Sequence, residues 1–491
     1  MPILNSSVQK HEFQTMNKAL LFISVLFSSQ QLLATSELDL SNKKTIIPSN
    51  SRDKNCQQSQ IKPWSFATDL PIESPCKMIR TKPPIEIGPK LLGLGKIKNG
   101  FRLPSGAVWQ PALYLLGSAR TAFNTQKKSR QQHSNEVAVR ADVFFNLQLS
   151  ATERVLLGLT PFNKGSKFSR YQFSPGANNG YTESLNSNID TFWVEGDIGE
   201  LLPNHKNQQR KKYDMAFSFG RQVIAFQDSV MMNDAIDALV LVKNNMHIIP
   251  NSPSTRLSAV YGWNNINRAD GLRDDSARFY GLFSETDTWK RTIEMDIAYM
   301  TSNNEADGGF YGFSSTQRMG HWNSTLRLNG SFTALKETKN MRNGTLLTLQ
   351  LSRNLKTSHN VYYVNFYAGF DQYRAATKDQ DVGSSIGLIG ISFASPGLGN
   401  FNSALSDNTD NSYGLATGYQ WFFNRDRSNF MLEFALKQQS LIAQRNNLKA
   451  ISLRFQKAIS RRWLWQLDAY VADDVFQGTN YGLRSELGLQ F

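Results

Sequence analysis

Residues 481–491 read YGLRSELGLQF. Taken by twos, one set is Phe491, Leu489, Leu487, Ser485, Leu483 and Tyr481; the other is Gln490, Gly488, Glu486, Arg484 and Gly482. Successive side chains on a strand point to opposite faces. This stretch therefore builds a wall that is apolar on one side and wet on the other.

The pattern recurs upstream. Val137 to Leu149 alternate with Ala138, Arg140, Asp142, Phe144, Asn146 and Gln148. Trp322 to Phe332 alternate around Arg327 and Asn329, Tyr362 to Phe370 repeat the pattern, and Phe430 to Leu436 do so around Glu433, with Lys437 next. Further segments are expected near 107–123, 154–162, 188–198, 213–222, 236–244, 255–264, 277–285, 291–301, 344–353, 385–393, 412–422, 447–457 and 462–472. The total is about 18 strands, within a range of 16–18, each near the length a tilted membrane strand requires. Short polar turns are expected at 150–153, 424–428 and 459–461. Long Gly/Asn/Asp-rich loops are expected at 163–186, 264–276, 302–319, 371–383, 394–411 and 472–480. Short turns at one end and long loops at the other are the layout of an all-β, antiparallel transmembrane barrel of the bacterial outer membrane, here assigned to residues 104–491.

Composition agrees with this once the pattern is known. Hydrophobic residues make up 40% of the 491 and charged residues 19%, and the mean hydropathy is −0.41. After Met16 no run approaches the roughly 18 apolar residues of a spanning helix. A barrel pairs every backbone group without such a run. Lys and Arg number 54 against 40 Asp and Glu, an excess of 14. Twelve cations face six anions within 37–103, and 1–36 adds one more positive charge, so the barrel keeps an excess of seven. No basic cluster alternates with a nucleic-acid-reading motif, so no nucleic-acid partner is expected.

From Met16 the chain reads MNKALLFISVLFSSQQLLATS, with Lys18 ahead of a short apolar core and Ala34-Thr35-Ser36 as a small-residue cleavage signal. That is an export signal starting at Met16 and occupying 1–36. Residues 37–103 are rich in Pro and Lys and hold both cysteines, Cys56 and Cys76, which are expected to pair in an oxidising compartment. This segment is either a periplasmic extension or a plug in the lumen. A terminal Phe on an alternating strand resembles the signal by which bacterial outer-membrane barrels are recognised, so Phe491 is expected to engage the barrel-assembly machinery.

Residues 189–240 resemble the alginate-export family of outer-membrane porins. The matching pieces are Phe192-Trp193-Val194, Phe219-Gly220-Arg221-Gln222, Asp228-Ser229, and Ile236 with Ala238-Leu239; Trp109-Gln110-Pro111 after Gly106 is similar to that family's first strand. The resemblance implies a single barrel of about 18 strands that exports an anionic polysaccharide through an arginine-rich, loop-capped pore. The family's charged positions fall here on Val223, Gln110 and Asp190-Thr191, so the charged set is mostly neutral and alginate itself is not the expected cargo.

Parity places Arg140, Asp142, Glu294, Asp296, Arg327, Glu433, Lys437, Arg484 and Glu486 on the wet face, as candidate pore-lining residues. Arg221 shares the parity of Phe217 and Phe219, which is lipid-facing. Rings of charge bias ion passage, and both signs occur here. No catalytic set emerges: His133 and Ser134 are adjacent and point to opposite faces. The Asp274-Asp275 and Asp473-Asp474 pairs lack the ligands a Ca²⁺ site needs, so no metal and no cofactor are expected. The expected function is a monomeric outer-membrane channel, not an enzyme, that meets lipid and lipopolysaccharide and passes a hydrophilic solute or polysaccharide. The competing expectation is a non-conducting structural or adhesive barrel plugged by its N-terminal segment.

Overall fold

A computed structural model describes residues 82–91 and 100–491, apart from 128–132, 165–166, 175–178, 204–213, 249–251, 356–357, 380–384, 442–443 and 475–477. The export signal, Cys56 and Cys76 lie outside the described residues.

Eighteen strands form the wall: β1 (Ala112–Lys127), β2 (His133–Gln148), β3 (Arg154–Leu159), β4 (Ile189–Asp197), β5 (Ala216–Phe226), β6 (Met232–Met246), β7 (Ser254–Asn264), β8 (Arg278–Asp287), β9 (Arg291–Thr301), β10 (Gly308–Met319), β11 (Trp322–Phe332), β12 (Gly344–Asn354), β13 (Val361–Asp371), β14 (Ser412–Phe423), β15 (Ser428–Leu441), β16 (Gln444–Ala458), β17 (Trp463–Asp474) and β18 (Gly478–Gln490). Each pairs antiparallel with the next, and β18 pairs with β1, so the sheet closes. Closure removes the sheet edges that lipid could not satisfy.

Phe491 exchanges two backbone hydrogen bonds with Gly117, of 2.8 and 2.9 Å. Along the same edge of β1, Glu86 and Ile87 then pair with Tyr114 and Leu113, continuing the direction of β18 beyond Phe491. The Tyr114 hydroxyl donates to the Pro89 carbonyl at 2.8 Å. The described part of the N-terminal segment therefore lies at the end of the barrel that carries most of the short turns.

The outward face is the apolar set that alternation selects. Met295, Ile297 and Tyr299 on β9 and Leu432, Phe434 and Leu436 on β15 are exposed, while Asp296 and Glu433 between them are buried. Aromatic side chains belt both ends. Phe219 stacks on Trp263 and Tyr261 lies beside Tyr280 near the long loops; Trp421 lies against Phe430 and Phe455 against Trp465 near the short turns. Amphipathic rings of this kind sit at membrane interfaces.

Two sequence expectations exchange places. Residues 385–393, expected as a strand, belong to one long loop, 372–411, and residues 308–319, expected as loop, are β10. Glycines made β10 look like loop. They are there because neighbouring side chains cross it: a side chain at Gly309 would meet the Phe332 ring, and one at Gly312 would meet Gln227 and Met231. Residues 385–393 are apolar because they are buried inside the barrel, with Ile386, Ile389 and Phe393 fully covered. The expected loop at 472–480 is also shorter, since β17 runs to Asp474 and β18 resumes at Gly478.

The long loops 265–277, 302–307 and 333–343 cover the barrel above β6–β10. Asp274 joins the first two, accepting from the hydroxyls of Ser276 (2.7 Å) and Ser302 (2.6 Å) and the amide of Asn304 (3.1 Å). Burial alone raises its carboxyl, but these donors outweigh it and hold it below the usual carboxylate range. A depressed folded-state pKa contributes stability above the unfolded value, lost as pH falls through the folded one. Hydrogen exchange at 302–305, taken relative to the intrinsic amide rate at each pH, should therefore quicken as the pH drops below about 4. Asp274→Asn should bring that faster exchange to neutral pH and flatten its pH dependence; unchanged protection in the variant would refute the assignment.

Candidate functional site: a charged wall and an inward loop

The connection from β13 to β14, described over 372–379 and 385–411 and here called the strap, enters the barrel from the end of β13 and returns to β14. Its first limb pairs parallel to β6, with Met232 opposite Thr377 and Asn233 opposite Lys378. Ala376 N–H donates to Met231 O and the Tyr373 hydroxyl to Val230 O. The second limb packs Ile386, Ile389, Phe393, Phe401 and Leu405 against the inward faces of β12–β17. The wall accommodates it with small residues at inward positions: Ala416, Ala435, Ala450 and Ala472 touch the strap's cluster. A side chain at Gly414 would meet Tyr367 and Phe393, and one at Gly482 would meet Tyr470 and Phe401.

Beside the strap's second limb runs a row of charge on the inner face of five adjacent strands. Arg454 on β16 donates to Asp468 on β17 at 2.6 Å, and Arg484 on β18 donates to the same carboxylate at 2.8 Å. Arg484 also pairs with Glu486, which accepts two hydrogen bonds from Arg120 on β1 (2.7 and 2.9 Å). Arg140 on β2 holds Asp142 at 3.1 Å. Four guanidiniums thus face three carboxylates, an excess of one positive charge. The row faces the strap, whose Pro396 and Gly397 carbonyls lie 3.4 Å from Arg120 and Arg140 respectively.

The other candidate residues separate into two groups. Glu433 and Lys437 on β15 are both buried and both bonded to the strap. Glu433 accepts from Ile391 N–H (2.9 Å), Ser392 N–H (2.8 Å) and the Tyr363 hydroxyl. Lys437 donates to the carbonyls of Ser406 and Asn408, each at 2.6 Å. On β9–β11, Glu294 accepts from Ser314 (2.6 Å), Asp296 accepts from Gln227 (2.6 Å), and Arg327 pairs with Asp228 (2.5 Å). The last two pairs pin the turn 227–231, where Gln227, Asp228 and Ser229 all have positive φ, against the wall. The nine charges read from parity therefore do not form one ring: Arg140, Asp142, Arg484 and Glu486 join the row, while the other five hold loops, turns or a neighbouring strand.

Arg120, Arg454 and Asp468 were missed by sequence reading although the signal was present. Arg120 shares the parity of Asn124 and Gln126; Arg454 that of Ser452 and Gln456; Asp468 that of Gln466. Arg221 faces outward near the long-loop end and forms a two-point pair with Asp237 (2.8 and 3.2 Å). Gly220, at φ +120°, lies so close to the Phe192 carbonyl that a side chain would collide with it. Gln222 is buried and donates to Ala238 O at 3.1 Å. Phe192 is exposed on the outer face, whereas Trp193 is buried against Leu156.

No protein-family profile matches the sequence, and no curated protein matches it. Solved structures do match in fold. A BenF-like porin from Pseudomonas fluorescens is 8% identical with a TM-score of 0.52. The outer membrane protein opdK from Pseudomonas aeruginosa is 9% identical at 0.51, and OccK2 (OpdF) from the same organism is 10% identical at 0.51. Each comparison covers 77% of this chain and 98% of the other. These neighbours overturn the alginate-export resemblance, and the matching pieces have local explanations. Trp193 fills a niche at the inner wall, Gly220 admits a close backbone approach, and Arg221 satisfies an outward carboxylate; none of them requires an alginate path. The chain is an 18-stranded outer-membrane β-barrel sharing the fold of these solved structures.

Proposed function

We propose that this barrel is a passive outer-membrane channel for a small hydrophilic solute, with a modest preference for anions. The supporting observation is the row Arg454–Asp468–Arg484–Glu486–Arg120, continued by Arg140 and Asp142, on the inner wall with the strap against its Arg120–Arg140 end. An arginine row with a small positive excess draws anions into a narrow passage, and its paired carboxylates keep binding weak enough for release. The porin fold of the neighbours supports the same reading. The strap disfavours a polysaccharide, because a bulky polymer would have to displace it.

Planar bilayers test this. Discrete conductance steps are expected, with a reversal potential in a KCl gradient displaced toward chloride and the displacement shrinking at high salt. A second reading, a closed structural barrel, is favoured by the strap's contacts on nearly every side of the lumen. Silent bilayers after verified insertion would establish that reading instead.

A further inference from the structure

We propose that Glu433 and Lys437 are positioning residues that clamp the strap to β15 and thereby set the channel's aperture; this rests on the channel reading above. They lie four residues apart, so they share the inward face of β15 and stand about 13 Å apart along it. That spacing lets one strand grip the strap at two separate points beyond its first limb. Glu433 holds the deep part through two consecutive backbone N–H groups, Ile391 and Ser392. Lys437 holds the returning part through the Ser406 and Asn408 carbonyls.

Charged wall groups also meet the strap at its 396–400 stretch, where Arg120 and Arg140 lie 3.4 Å from the Pro396 and Gly397 carbonyls and Glu136 accepts from Asn400 N–H. Around 386–395, however, its remaining links to the wall are weaker in kind. Asn365 and Gln350 donate to the Ile389 and Leu388 carbonyls at 2.8 and 3.1 Å, and the Ser392 and Ser452 hydroxyls meet at 2.7 Å. Asn124 reaches the Leu398 carbonyl at 3.3 Å. These are neutral bonds, whereas hydrogen bonds to an ionised group are roughly twice as strong. Both charges are taken from water, Glu433 at 0% and Lys437 at 2% exposure, so each is held in place by the groups it binds. The strap is shaped for the contact as well. Gly390 lies directly against the Glu433 carboxylate, and any side chain there would collide with it. Glu433 and Lys437 thus act through the strap rather than on the solute.

The test compares three full-length chains in planar bilayers: the unaltered protein, Glu433→Ala/Lys437→Met, and that double variant with Ser392→Cys/Ser452→Cys added. Heat-modifiable gel migration confirms a closed barrel in each. The double variant should conduct at least about twofold more than the unaltered protein and discriminate less between chloride and potassium. Oxidising the cysteine pair should return conductance to the unaltered level, and reductant should raise it again. Equal or lower conductance in the double variant would overturn the clamp and leave the channel reading intact. A silent unaltered protein beside a conducting double variant would support the clamp and overturn the open-channel reading. Silence in all three after verified insertion would overturn both.

Discussion

Replacing Asp468 by Ala should destabilise the barrel by about 3–5 kcal/mol, the usual result of removing one partner from a buried ionic group. Asp468 accepts from Arg454, Arg484 and the Gln466 amide at 2.6, 2.8 and 2.7 Å. Arg484 is fully buried and Arg454 nearly so. Without the carboxylate, two guanidiniums remain in neighbouring positions with their compensation halved, and like charges in a site of low effective dielectric repel strongly. The urea midpoint in lipid vesicles, followed by Trp fluorescence, should fall accordingly. Asp468→Asn preserves volume and can accept one hydrogen bond, so it should recover part of the stability without restoring the charge. Both variants raise the row's excess from one positive charge to two. Both should therefore shift the reversal potential further toward chloride. Unchanged stability together with unchanged selectivity would show that the row is solvated and energetically idle.

A loss of similar size is expected for Trp193→Ala. Trp193 is 1% exposed and packs on Leu156, with Phe144 beside it. The Arg154 guanidinium sits 5.1 Å from the ring centroid while pairing with Glu195 on the same strand as Trp193. Truncation removes a large buried surface, leaves a cavity between β3 and β4, and takes away the ring beneath the arginine. Large-to-small changes of this kind cost about 3–5 kcal/mol, and the lost cation–π contact adds about 1 kcal/mol. Trp193→Phe keeps most of the apolar contact and should recover more than half of the shift in midpoint. If Ala and Phe unfold at the same denaturant concentration as Trp, the inner-wall niche contributes nothing to stability.

The strands were legible because alternation is a local property. Wherever one face met lipid and the other the lumen, as in Leu432–Glu433–Phe434, every second residue declared its side. β10 escaped because its glycines answer to the ring of Phe332 and to the side chains of Met341, Gln227 and Met231 rather than to lipid. The run 385–393 misled for the opposite reason. Apolar residues buried inside the lumen are compositionally the same as residues facing lipid, and a nine-residue window holds nothing that separates them. The small inward residues of β14–β18, Gly414, Ala416, Ala435, Ala450, Ala472 and Gly482, were a usable sign that something fills the barrel opposite them. Parity assigned those faces but was silent on what occupied them.

The same division applies to the charges. Sequence alone determined a closed, lipid-embedded antiparallel barrel and the inward direction of Arg140, Asp142, Arg327, Glu433 and Arg484, because side-chain direction on a strand follows from position within that strand. Only the tertiary structure decided that Arg484 joins a row with Arg120 and Arg454 while Glu433 and Lys437 bind a loop. Those partnerships link residues far apart in the chain, such as Arg120 with Glu486 and Glu433 with Ile391. Whether an inward charge lines a passage or anchors a strap depends on closure of the sheet and on where the 372–411 loop comes to rest, and neither is encoded in the alternation of any one strand.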